Sequence, residues 1–376
     1  MGVFLPPGDE SSPPEPTATQ PASSGTSRLD EWLRALVELR GSDLLLIPGA
    51  PASIRCEGEV RCLEYEPLQG AEIEAAVLPA LTPHALELYQ KHHIGDSSYR
   101  IAGLGRFRIN LHHERGTAAA AIRALPSTVP SIGELNLPPG VELLANLRRG
   151  LVLVGGATGS GKSTTLAALI GEINRHQARH IIMIEDPIEY EHVHIKSVVE
   201  QVEIGVDASD FPTALRAALR QAPDIIVVGE MRDPETMRIA LAAAETGHLV
   251  LSTLHTTDVA STVSRVSDSF PLERQHTIRQ ELAMALAAVM VQTLLHAKNG
   301  GRVPAAELLM IGYGARQHIR RNALQHLHQE ITMTKNKGSF TLEESLMQLV
   351  NQELIDREVA ELHAIHPDDL RSLLRS

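Results

Sequence analysis

The stretch Gly156-Ala157-Thr158-Gly159-Ser160-Gly161-Lys162-Ser163 fits the pattern G-x-x-x-x-G-K-[ST]. It lies between an apolar run, Leu151–Val154, and a helix-like segment, Thr164–Ile170. That junction constrains the fold more than any other feature of the chain. The glycines let the backbone curl until successive N–H groups point at one spot, and the helix that follows adds the positive end of its dipole. The junction predicts an α/β fold and a bound nucleotide. Gly156, Thr158, Gly159, Ser160, Gly161 and Thr164 form the phosphate cradle, Lys162 reaches the β- and γ-phosphates, and the Ser163 hydroxyl serves Mg²⁺.

Three more near-continuous apolar runs follow, Ile181–Ile184, Ile225–Val228 and Leu249–Leu254, with helical patterns between them. Runs of this length predict parallel strands buried on both faces. Each of the four runs ends in a polar or glycine-rich feature: Gly155-Gly156, Glu185-Asp186, Gly229-Glu230 and His255. The carboxyl ends of strands form the ligand crevice of open α/β sheets, so these four ends outline one site. Beyond Leu282 the pattern reads as mostly helical.

The run ending at Glu230 is a Walker B strand in which Gly229 stands where the metal-binding Asp is commonest. A second carboxylate is therefore expected nearby, and Glu185 is the natural supplier, with Asp186 and Glu189 close behind. Metal ligands are expected from Ser163, Glu185 and Glu230. The sequence leaves open which glutamate is base and which serves the metal. His255 stands beside the expected γ-phosphate position, where an imidazole could sense the phosphate, and His248 opens the same run. A structural role for either is the alternative. Upstream, Arg106, Arg108 and Asn110 alternate with Phe107, Ile109 and Leu111, so the two arginines share one strand face. Arg115 and Arg123 lie further along. These arginines read either as a solvated face or as donors of positive charge to the transition state. His192/His194, His112/His113 and His326/His328 have zinc-like local spacing without acids or thiols at ligand distance in sequence, and read as surface histidines.

Residues 1–27 are Pro-, Ser- and Thr-rich and read as a disordered tail. Residues 28–126 then read as a small α+β domain, with a hairpin turning near Glu57-Gly58. A Pro-rich linker is expected over 127–140, and the ATPase core with its C-terminal helices over 141–376. The formal charge of −12 makes a poor partner for phosphodiester backbone or anionic lipid, so stable nucleic-acid binding is not expected. Cys56 and Cys62 are the only cysteines, which excludes a disulfide scaffold or Cys-ligated zinc module and fits a reducing compartment. With no run long enough to span a bilayer, a cytoplasmic protein is expected.

The motifs together resemble the PilT branch of the secretion ATPase superfamily. The likeness rests on the Walker A run, on Ile184-Glu185-Asp186-Pro187-Ile188-Glu189 as the Asp box, on Asp224 to Asp233 as Walker B, and on Ala244 to Thr257 as the His box. It extends to Arg106-Phe107-Arg108-Ile109-Asn110 and Arg115-Gly116 in the N-terminal region. The resemblance implies a PAS-like N-terminal domain before a RecA-like P-loop core, and a homo-hexamer binding ATP and Mg²⁺ between the domains. It also implies Arg108, Arg115 and Arg123 as arginine fingers. The implied function is a type IV pilus retraction motor that drives twitching motility. The implied setting is the inner face of the cytoplasmic membrane, through a pilus inner-membrane platform protein and a paralogous retraction ATPase. A type II secretion or pilus-assembly ATPase of the same superfamily is the alternative, and a RecA-like nucleic-acid translocase a further one. The absence of a tetracysteine module favours retraction, although the Ala-Ile-Arg motif of retraction members reads Ala315-Arg316-Gln317 here.

Overall fold

The computed structural model describes residues 27–63 and 66–375, so the tail expected over 1–27 lies, except for Ser27, outside the described residues. The first sheet has six antiparallel strands: β1 (Asp43–Leu46), β2 (Ser53–Cys56), β3 (Glu59–Cys62), β4 (Ile94–Ile101), β5 (Gly105–Glu114) and β6 (Thr117–Ala124). Their order is β3-β2-β1-β6-β5-β4. Glu57 and Gly58 both have positive φ, 51° and 91°, the backbone that closes a two-residue hairpin between β2 and β3. Three helices belong to this sheet: α1 (Arg28–Glu38), α2 (Gly70–Val77) and α3 (Pro83–His92). The helical region expected over 71–92 is broken because Pro79 and Pro83 cannot sit inside a continuous helix. Leu29, Trp32, Leu33 and Leu36 of α1 bury against Phe107, Ile109 and Leu111 of β5. Period two then turns Arg106 and Arg108 to the opposite face.

The second sheet has seven strands: β7 (Gly150–Gly155), β8 (His180–Glu185), β9 (Val198–Glu203), β10 (Ile225–Val228), β11 (Leu249–Leu254), β12 (Leu286–His296) and β13 (Arg302–Met310). The order is β13-β12-β7-β11-β10-β8-β9, parallel throughout except where β13 runs antiparallel to β12. Every residue of β7, β10 and β11 is buried, because helices cover both faces. On one face lie α4 (Lys162–His176) and the 3₁₀ segment Pro139–Asn146. The other carries α5 (Phe211–Ala218), α6 (Pro234–Glu245), α7 (Val259–Asp268), α8 (Leu272–Ala285) and α9 (Tyr313–Arg320). Last come α10 (Leu327–Met333), α11 (Leu342–Asn351), α12 (Arg357–His363) and α13 (Pro367–Leu373). Of these, α11 to α13 pack on Leu295, Val303 and Ala305 at the tip of the β12–β13 hairpin. No helix among the described residues is long and apolar enough to cross a membrane.

The expectation of helix beyond Leu282 is corrected by β12 and β13. An apolar run such as Leu286–Leu295 fits a buried helix or a buried strand equally by periodicity, and the turn at Asn299-Gly300-Gly301 decides for a hairpin. β9 is a further strand beyond the expected four. The segment 127–140 is not bare linker: it includes a 3₁₀ turn, Gly133–Leu135, and buries Ile132 in the core beside α4.

Candidate active site

The loop after β7 needs glycine where the backbone doubles back. At Gly156, with φ 151°, a Cβ would stand 2.3 Å from Ser160 Oγ and 2.5 Å from the Gln292 carbonyl oxygen. Gly161, with φ 88°, caps α4, whose first residue is Lys162. The Lys162 side chain is 7% exposed, and its Nζ donates to the carbonyls of Gly156 and Ala157, both at 2.9 Å. Burial lowers its pKa, while Glu230 and Glu189 act in the opposite direction. Ser163 is the second residue of α4, and Thr164 Oγ1 meets the Tyr190 hydroxyl at 3.0 Å.

The two glutamates face this loop from two residues beyond β10 and from the last residue of β8. Glu230 Oε2 pairs with Arg232 Nη2 at 2.8 Å and Oε1 with His255 Nε2 at 3.1 Å. Burial opposes the charged form of Glu230, but Arg232 and His255 outweigh it and hold the carboxyl below its ordinary pKa. Glu185 sits in the reverse setting. Burial pushes its carboxyl up to about 7, although Gln201 Nε2 donates to it at 3.0 Å. His255 also reaches the P-loop, its Nδ1 standing 3.5 Å from Thr158 Oγ1. Thr158, Gly159, Lys162, Ser163, Glu185, Glu230, His255 and Arg108 all line one cleft of about 270 Å³. Arg108 comes from β5, so the cleft lies between the two sheets.

The other expected site residues stand elsewhere. His248 precedes β11, whose six residues separate it from the cleft by roughly 20 Å. Its Nδ1 lies 3.0 Å from the Ala243 carbonyl. Arg115, at the β5–β6 turn, is 90% exposed and pairs with Glu114. Arg123 lies opposite Arg108 on β6 but donates to Asp43 at 2.9 Å. Within one chain neither lines the cleft. Arg106 is also turned from it: its guanidinium donates to the Ile188 carbonyl at 2.8 Å and pairs with Glu203 at 3.7 Å. Glu203 in turn accepts from the Ile188 N–H and from Ser98 Oγ. Arg106 and Glu203 therefore fasten the Asp box to the first sheet.

All three histidine pairs also depart from the surface reading: His112 and His113 are partly buried, and His113 Nε2 lies 3.0 Å from the Tyr89 hydroxyl. His192 is partly buried, and burial lowers its pKa to about 4. His328 meets His366 and Asp369, which sequence distance concealed.

Three residues with clear geometric roles are not singled out by the sequence reading. Gln292 on β12 is 4% exposed; its Nε2 donates to the Ser160 carbonyl and its Oε1 accepts from Thr165 Oγ1, both at 2.7 Å. Gln201 on β9 holds Glu185, and Arg232 holds Glu230. The first two lie on strands that the pattern of apolar runs did not reveal. Arg232 stands two residues beyond the Walker B glutamate, where its position alone could have marked it.

Residues 135–373 match the family model described as type II/IV secretion system protein. The chain is 41% identical to the type IV pilus retraction ATPase PilT of Pseudomonas aeruginosa, over 91% of this chain and 99% of that protein. It is also 41% identical to a twitching motility protein of Neisseria gonorrhoeae, over 84% of this chain and 85% of that relative. The crystal structure of the pilus retraction motor PilT with bound ADP superposes with a TM-score of 0.82 at 41% identity, covering 91% of this chain and 98% of that one. With the P-loop, both glutamates and the interdomain cleft in place, the chain belongs to the type II/IV secretion ATPase family, on its PilT branch.

Proposed function

We propose that the chain is the ATP-hydrolysing motor of a type IV pilus, working in the retraction direction and thereby driving twitching motility. The observation that carries this reading is the cleft that gathers Lys162, Ser163, Glu185, Glu230, His255 and Arg108, in a chain that matches a retraction ATPase over almost its whole length. In this reading the backbone N–H groups from Thr158 to Ser163 and the Lys162 ammonium take the phosphates. The donors available to a metal are all oxygens, the Ser163 hydroxyl and the carboxylates of Glu185 and Glu230, and such a set suits Mg²⁺. Bound there with the nucleotide, Mg²⁺ would supply charge neutralisation at the β- and γ-phosphates. A carboxylate is needed to take the proton of the attacking water, and Glu185 and Glu230 are the two placed for it. His255, joined to both Glu230 and Thr158, is placed to report whether the γ-phosphate is present. Arg108 brings the first sheet's charge to the same cleft.

The working unit in this proposal is a homo-hexamer at the inner face of the cytoplasmic membrane. It pushes on the pilus inner-membrane platform protein, with a paralogous retraction ATPase as a further partner and no stable nucleic-acid binding. Two measurements test it. Lys162→Ala removes the charge at the β/γ-phosphates, and phosphate release should fall at least about a hundredfold, roughly 3 kcal/mol. Cells that carry only Lys162→Ala should assemble pili and fail to withdraw them. Cells without surface pili would instead indicate an assembly motor, and unchanged turnover would remove the P-loop assignment.

A further inference from the structure

The C-terminal helices carry a cluster that the nucleotide site does not use. His328 is the second residue of α10, His366 caps the start of α13, and Asp369 is on its first turn. One donor atom from each of the three lies within 4.8 Å of the other two. The two imidazoles stand 4.1 Å apart between ring centroids, tilted by 45°. Their chain neighbours explain the placement: Leu327 and Leu370 are fully buried, so each helix is anchored one residue from a donor. A separate observation points the same way. Glu343 on α11 is 1% exposed, and its Oε1 accepts the backbone N–H of His366 at 2.8 Å. The cluster thus sits against a buried carboxylate with no Lys or Arg partner among the described residues.

We propose that His328, His366 and Asp369 bind a divalent ion of the zinc class, which clips α13 to α10. Two imidazoles and one carboxylate suit Zn²⁺, with water in the fourth position because His366 and Asp369 are exposed. Around such an ion the donor atoms lie about 3 Å apart, a closure that rotation of exposed side chains can supply. The ion would offset the charge of Asp369 and the buried Glu343. It would also close the chain between residues 328 and 366, fixing α13 beside the helices that pack on the β12–β13 hairpin.

The test is zinc titration of the full chain by calorimetry, without nucleotide, on the wild type and three variants. Because the chain holds 18 histidines, the comparison carries the result. The wild type should take up one saturable equivalent at micromolar affinity. His366→Ala and Asp369→Asn should each weaken it by about tenfold or more. His318→Ala alters a different histidine pair and should leave it unchanged. Matched circular dichroism of the variants shows that loss of binding is not loss of fold. Cobalt(II) gives a readout on the wild type alone: intense visible bands expected of four-coordinate nitrogen–oxygen ligation support the site. A weak, hexaaqua-like spectrum, no saturable equivalent, or equal zinc uptake by all four proteins would overturn it.

Discussion

Gln292 illustrates how a side chain outside the cleft can set the shape of a P-loop. The amide both donates to the Ser160 carbonyl and accepts from the Thr165 hydroxyl, tying the loop and the first turn of α4 to β12. Gly161 also leaves just enough room, since a Cβ there would stand 2.7 Å from Gln292 Nε2. Gln292→Met keeps the volume and strips both bonds, leaving a buried hydroxyl and a buried carbonyl without them. A loss of about 2 kcal/mol, roughly thirtyfold in kcat/KM for ATP, is expected, with weaker ADP binding alongside it. Steady-state kinetics and ADP titration check this, and changes within twofold would reduce Gln292 to a space-filling role. The contrast with Lys162 and Glu230 explains what the sequence makes legible. Phosphate chemistry requires a lysine and an acid at fixed steps from a strand end, so their positions can be read directly. A glutamine that braces the loop from a neighbouring strand needs only to be near it in space, and the sequence separation of 132 between Ser160 and Gln292 hides it. His248 errs the other way: it shares a motif with His255, yet the length of β11 keeps the two apart.

At the level of elements, β7, β8, β10 and β11 are legible because burial on both faces forces unbroken apolar runs. β9 is hard to read because it is an edge strand with an alternating, partly exposed pattern. β12 and β13 are ambiguous for a different reason: their runs are apolar enough for either periodicity, and partner strands rather than local preference settle them. β13 also buries an acid. Glu307 is 5% exposed, and its Oε1 accepts the Val259 N–H at 2.8 Å at the start of α7. Burial raises its pKa to about 7; the Val259 N–H acts against this, while Asp258 and Glu343 add to it. Between the ordinary value of 4.5 and about 7, the folded chain keeps a proton that the unfolded chain has released. Stability from this group is therefore full below pH 4.5, falls as pH rises toward 7, and levels off above it, a change of a few kcal/mol at most. Glu307→Gln retains an acceptor for Val259 and cannot ionise. Its melting temperature should exceed that of the wild type at pH 8 and approach it at pH 5. Thermal unfolding at both pH values measures the difference, and an equal offset at both would exclude ionisation of Glu307 as the cause.

For the whole molecule, the positions of the arginines separate what one subunit does from what an assembly must supply. Arg106 is committed to Ile188 and Glu203, so it couples the first sheet to the Asp box and is unavailable to the nucleotide. Arg108 lines the cleft of its own chain, whereas Arg115 stands exposed at a turn and lines none of it. Transition-state charge on the equatorial oxygens is typically stabilised about 10³-fold or more by an added arginine. If Arg115 contributes, it must reach the cleft of a neighbour in a ring, through a head-to-tail interface in which one subunit completes the next. This makes the two arginines distinguishable by mixing. Lys162→Ala and Arg115→Ala subunits are each expected to be slow alone, but a mixed ring pairs an intact P-loop with an intact Arg115 from next door, so part of the turnover should return. Lys162→Ala mixed with Arg108→Ala should recover nothing, because both lesions fall on cis elements and every cleft keeps one of them. Phosphate release measured across mixing ratios, with sedimentation to follow assembly, gives the answer. Recovery in the second mixture would move Arg108 to the neighbour's site, and its absence in the first would leave Arg115 as a solvated turn residue.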